Sequence, residues 1–212
     1  MKKNIILLLI AIVSILGFFK LDRMGLRGYA EDAVADKNHE RGYDLLLKYL
    51  KIKGHDDTGK VIYFYPEEKR DRFLKEARIY LEIAVKRDHE NARYHEHYGW
   101  VLKFQKEYDS ALKEYEKAYE IDKNKIDYFY NVYAIYDETG DTSKAEMYEE
   151  KYITVAKESD HPMHIERVIF LLAAKKRFDE AREQIQRARE SSSYIDKEEL
   201  DLKEEMIDKE EQ

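Results

Sequence analysis

The chain has no cysteine, and among its 212 residues only two are proline and eight are glycine. The missing thiols exclude disulfide staples, thiolate nucleophiles and a lipid-modified cysteine, and leave the redox compartment undetermined. So few Pro and Gly exclude a domain built from many tight β-turns, which needs those residues at its corners. The common catalytic motifs are missing too. His39-Glu40, His89-Glu90 and His95-Glu96 could each open the helical zinc-protease pattern HExxH, but the fifth positions are Tyr43, Arg93 and Gly99. Thr58-Gly59-Lys60 lacks the upstream glycine and the following hydroxyl residue of a phosphate loop, and there is no GxSxG elbow. Within YHEHYGW (residues 94–100), His95 and His97 point about 200° apart on a helix and cannot chelate one ion. His161 and His164 could share a helix face but have no third ligand nearby. The chain is read as a non-enzyme, with no cofactor, no metal and no small-molecule substrate.

What is present favours helix. Lys, Glu and 18 tyrosines dominate a sequence almost free of helix breakers, which reads as all-α. One long apolar run stands apart: IILLLIAIVSILGFF, residues 5–19, uncharged and preceded by Lys2-Lys3. As a helix it spans about 22 Å, short of the roughly 30 Å hydrocarbon core, and Leu21 with snorkelling lysines extends the match. No small-x-small triplet follows it directly, and Ala33-Val34-Ala35 lies too far downstream for signal cleavage. Residues 1–20 are read as a single transmembrane signal-anchor, with a cleaved signal peptide of the same layout as the alternative. Basic residues are nearly balanced across it, and the short two-lysine tail favours placing the globular part outside the cytoplasm. The net charge is −7, and residues 1–20 hold three lysines and no acid, which leaves about −10 on the remainder. Such an acidic body is a poor match for nucleic acid.

A period runs through the alanines. Ala77, Ala111, Ala145 and Ala181 lie 34, 34 and 36 residues apart, and seven residues after each come Ala84, Ala118, Tyr152 and Ala188. Paired small residues at this period mark a helix–turn–helix array, because a small side chain lets antiparallel helices approach closely where they cross. Residues 92–125 carry His95, Tyr98-Gly99, Leu102, Ala111-x3-Tyr115 and Ala118. This run resembles the tetratricopeptide repeat (TPR) family, with Lys123 where that family has a late proline. The next unit keeps Tyr136, Gly140-Asp141 and Ala145, but Tyr133 and Tyr152 take the two small positions, so its helices are expected to pack wider. A third unit starts at Pro162, with Asp160 as the expected cap and Ile169, Leu172, Phe178, Ala181, Ile185 and Ala188 as core.

The expected organisation is a juxtamembrane segment over 21–37, a degenerate first repeat with an inserted loop over 38–91, and three TPR-like repeats over 92–190. A capping helix and acidic tail follow over 191–212. In the first repeat a helix opens at Pro66-Glu67-Glu68 and buries Leu74, Ala77, Leu81 and Ala84 against a partner over 40–53. The strand-like residues 61–65 pack against the array or meet a partner. The cap is expected to bury Ile195, Leu202 and Met206.

The resemblance implies an α-solenoid whose first helices line a concave groove. Carried over by register, the groove takes Arg93, Glu96, His97, Trp100, Lys103 and Phe104, then Tyr130 and Asn131, then Arg167 and Phe170. Trp100 and Phe170 are either binding anchors or fillers between helices. Asn131 and Arg167 match the carboxylate clamp of some TPR domains, but Glu96 would repel a carboxylate, so a chaperone-tail clamp is not expected. The implied function is a membrane-tethered scaffold holding a protein or peptide partner with apolar and basic residues. The alternative is a self-associating assembly factor, with homo-oligomer contacts through Tyr133 and Tyr152 or residues 61–65.

Overall fold

The computed structural model describes residues 27–55, 60–191 and 197–211. They form nine helices and one two-stranded ribbon, divided into two compact units at Asp122/Lys123. The apolar run 5–19 lies outside the described residues, and among these no helix is long and apolar enough to cross a membrane.

In the first unit α1 (Arg27–Leu50) and α2 (Glu67–Arg87) form a helical pair, joined by β1 (Ile52–His55) and β2 (Val61–Tyr63). The strands are antiparallel, with Ile52 opposite Tyr63 and a bulge before Gly54. Helices α3 (Ala92–Phe104) and α4 (Tyr108–Ile121) form the second pair. The second unit holds α5 (Asp127–Thr139) with α6 (Thr142–Ala156), α7 (Pro162–Ala174) with α8 (Phe178–Ser191), and a final α9 (Lys197–Glu211).

The periodic small residues sit where expected. Ala77, Ala84, Ala111, Ala118, Ala145, Ala181 and Ala188 are all buried. Close approach is most demanding at Gly99, where an added Cβ would lie 2.5 Å from the Tyr115 ring. On α1 the same part falls to Gly42, whose added Cβ would meet Leu81 at 2.7 Å. The turns repeat as well. Lys106 (φ 62°), Gly140 (φ 77°) and Lys176 (φ 56°) each precede a periodic alanine by five residues and each adopts the left-handed conformation. A single left-handed residue ends one helix and reverses the chain into the next.

Ion pairs tie one helical pair to the next turn within each unit. Arg78 on α2 bonds Glu107 and, at 2.6 Å, Gln105. Lys175 and Arg177 bond Glu149 at 2.7 Å and Glu150 at 2.9 Å. Gln105 and Glu107 hold the same register before Ala111 as Lys175 and Arg177 hold before Ala181. The contact is kept while its polarity is reversed.

Four local expectations are corrected. Helix α1 starts by Arg27, so residues 27–37 are part of the first helical pair; Ala35 packs beside Ala84 and Tyr94, and the Tyr94 hydroxyl donates to Asp36. The N-cap of α7 is His161 with Pro162 in the first turn, while Asp160 accepts from Arg187. Helix α9 buries Leu200 and Ile207, seven residues apart, and turns Leu202 and Met206 to solvent; Ile195 lies outside the described residues. Tyr152 is fully buried, which removes it as a surface contact for a second copy.

Replacing Gly99 with alanine is expected to lower stability in denaturant by about 1–3 kcal/mol, because the Tyr115 ring is buried and has no room to yield. Gly54→Ala, with nothing within 4 Å of the new methyl group, is the neutral control. The buried Tyr115 hydroxyl has no hydrogen-bond partner. Tyr115→Phe should therefore leave the melting temperature unchanged or raise it, since it deletes a desolvated, unsatisfied group.

Candidate functional site

The ten candidate groove residues divide between the units. In the first, Arg93 is exposed, but Glu96 and His97 are buried. His97 stacks on Tyr43 of α1 at 4.2 Å between ring centres and contacts Trp100 at 4.8 Å. Its Nδ1 meets His39 Nε2 at 2.7 Å, and His39 also stacks on Tyr94. Trp100 and Phe104 pack half-buried against the core shared by α1 and α2, with Phe104 5.3 Å from Tyr49. Lys103 lies over the Phe104 ring. The face of α3 expected to be open is thus largely covered by α1, which supplies His39, Tyr43 and Tyr49.

In the second unit Arg167 bonds Asp127 at 2.7 Å and lies over the Tyr130 ring at 4.2 Å. Tyr130 packs 5.2 Å from the buried Tyr152, and Asn131 is half-buried. Tyr152, standing where the repeat has a small residue, needs a partner for its hydroxyl and finds His164 Nδ1 at 2.9 Å. Burial pushes its phenol up to about 12. Phe170 differs from Trp100, Phe104 and Tyr130, which are half-buried. It is 70% exposed and forms part of the wall of a 260 Å³ cavity between α7 and α9. Ile169, Ala173, Ala174, Met206 and Ile207 supply the remaining apolar lining, with Glu166, Lys203 and Glu210 at the rim. The cavity was missed in the sequence because the stripe chosen for α9 put Met206 in the core.

The buried histidines are tuned in opposite directions. Burial, with nearby Arg93, holds His39 down at about 4 against the opposing effect of Asp36. Burial likewise lowers His164, which also faces Asp127, His161 and Arg167. Burial pulls His95 down too, but its Nδ1 faces Glu114 at 2.7 Å and its Nε2 faces the His89 carbonyl at 2.9 Å, so its net shift is upward. Neutral His39 contributes stability that is full above pH 6.5 and is lost as pH falls towards about 4. His95 contributes stability that is present below 6.5 and is lost as pH rises through its raised value. A melting-temperature profile should accordingly decline between pH 6.5 and about 4, and His39→Phe should flatten that decline relative to wild type. An unchanged slope would show that the His39 ring does not carry it.

No protein-family model and no curated protein matches the chain. Solved structures do. One is YrrB, described as a TPR protein with an unusual peptide-binding site, at 18% identity over 67% of this chain and 72% of that one, with a TM-score of 0.43. MamA aligns at 18% identity over 81% of this chain and 92% of its own, with a TM-score of 0.42. PilF of Pseudomonas aeruginosa aligns at 16% identity over 78% and 80%, with a TM-score of 0.43. At these values the fold assignment rests on the chain's own features: helical pairs crossing at periodic small residues, with a left-handed residue at each tight turn of the three later pairs.

Proposed function

We propose that the chain is a membrane-tethered interaction scaffold that holds a protein segment in the cavity between α7 and α9. The observation that carries the reading is Phe170, a large aromatic left 70% exposed beside an open apolar cavity. Soluble monomers seldom leave large contiguous apolar patches open, and such patches mark interaction sites. Met163 on α7 and Leu202 and Met206 on α9 extend the exposed apolar surface. The surrounding charge selects the occupant: Glu166 and Glu210 flank the cavity, and α9 carries eight acidic against three basic residues. A segment with one apolar anchor beside Lys or Arg satisfies both, the anchor desolvated and the cation at the rim. The apolar run 5–19 supplies the tether in this reading. Tethering raises the local concentration for a membrane-bound partner, so tight intrinsic affinity is not needed.

Fluorescence anisotropy with a set of labelled peptides tests this, each peptide carrying a Leu, Phe or Trp anchor flanked by Lys or by Glu. Basic-flanked peptides should bind best, and Phe170→Ala should weaken them by about tenfold or more, the range of an interface anchor. Because Phe170 is exposed, the melting temperature should hold. If Phe170→Ala binds as wild type does, the cavity is not the site.

A further inference from the structure

The ribbon between α1 and α2 has no counterpart at the turns within the three later helical pairs, where one left-handed residue suffices. Its base is fixed. Tyr65 packs edge-on against Phe73, and Arg70 lies over both Tyr63 and Tyr49 and donates to the Tyr49 carbonyl at 2.9 Å. Beyond that base its apolar side chains are open: Ile52 is 52% exposed, Phe64 50% and Ile62 42%, while Tyr63 keeps 38% of its surface exposed beside Arg70.

These four are not on one side. Ile52 and Tyr63 are directly opposed and share a face, whereas Ile62, next to Tyr63 on β2, points to the other. A ribbon lying on its own protein buries one face and turns polar groups outward on the second. This one presents apolar groups on both. Its charge also opposes that of the chain. Residues 51–65 hold three lysines against two aspartates, in a protein of net charge −7. Lys51 and Lys53 lie on or beside β1, and the Lys51 ammonium sits 4.4 Å over the Phe64 ring.

We propose that the ribbon is a membrane-surface contact, sinking Ile52, Ile62 and Phe64 into the headgroup boundary of an anionic bilayer with Lys51 and Lys53 on its phosphates. An apolar phase that surrounds the ribbon covers both faces at once. A groove on a protein, such as the 260 Å³ cavity of a second copy, would cover one. Aromatic and aliphatic groups ringed by lysine are the composition that binds this boundary, the lysine stems lying along the apolar layer and their heads reaching the lipid charge. The contact is independent of the α7–α9 cavity and does not need residues 5–19 to be an anchor.

The absence of cysteine lets a single introduced thiol carry a label. The full chain is reconstituted into vesicles of phosphatidylcholine, alone or with phosphatidylglycerol, with an environment-sensitive fluorophore on Ile62→Cys, on Phe64→Cys, or on Met147→Cys as an exposed reference on α6. The proposal expects both ribbon labels to shift to the blue and to be quenched by a lipid-borne nitroxide in the anionic vesicles, while the reference stays aqueous. Lys51→Gln and Lys53→Gln should each weaken the docking equilibrium about fivefold. Salt near 1 M, where screening shortens to about 3 Å, should reverse the shift. Ribbon labels that remain aqueous on anionic vesicles overturn the proposal. So does a shift without lipid that grows with protein concentration, which assigns the ribbon to a second copy. A shift seen only with protein-containing native membranes overturns it too, in favour of a protein partner. Carbonate extraction of the same vesicles reads residues 5–19 separately, so loss of the anchor and loss of the ribbon contact are told apart.

Discussion

Everything in this chain depends on how closely antiparallel helices approach where they cross. At Gly99 the space beside the backbone is already filled by the Tyr115 ring, and at Gly42 by Leu81. The buried alanines make the same close contact elsewhere. Because the helices interlock at fixed points, the turn between them has to reverse the chain in a fixed number of residues. That is why the left-handed residue always falls five before the alanine, even where lysine rather than glycine must adopt it. A non-glycine residue in that conformation is disfavoured by about 1 kcal/mol. Lys106 and Lys176 accept this because the packing on either side over-determines the turn.

The same constraint explains where side chains become polar inside the core. Tyr152 occupies a position meant for a small residue, and its bulk is admitted because the hydroxyl is met by His164. In the first unit the buried pair His39 and His97 works only with one ring donating and the other accepting. Protonating both would set two N–H groups against each other across 2.7 Å. Hydrogen bonds of this kind hold α1 against α3 directionally, where apolar contacts alone would let the helices slide.

Periodicity made the helical pairs, their crossing residues and the second-repeat turn at Gly140-Asp141 readable before any coordinates. It failed where two answers share one period. On α9 the stripe of Leu202 and Met206 and that of Leu200 and Ile207 are both helical, and only packing against α7 and α8 decides for the second. The early start of α1 was hidden because residues 27–37 mix alanine with acids and show no apolar stripe beyond Ala35. His39 and His97 lie 58 residues apart, and no local pattern couples them. Of the groove candidates, register alone placed Phe170 in the open. It could not foresee that α1 would cover His97.

Insertions are tolerated where they leave the interlock untouched. The link from α1 to α2 lengthens by a whole ribbon, yet Ala35 still reaches Ala84 and Gly42 still reaches Leu81. Extra loop length adds only slowly to the entropy of closure, so the array carries the ribbon at small cost. The ribbon's own fixed points, Arg70 on Tyr63 and Tyr65 on Phe73, lie on the first turns of α2, where no periodic alanine is needed. The exposed surface there is thereby released from the repeat's packing rules. Its composition, apolar on both faces with Lys51 and Lys53 on or beside β1, is not dictated by the interlock. The same logic applies to α9, whose inner stripe closes the core while Met206 and its carboxylates border an open cavity. Interlocking fixes the interior, and the residues it does not constrain carry the chemistry of contact.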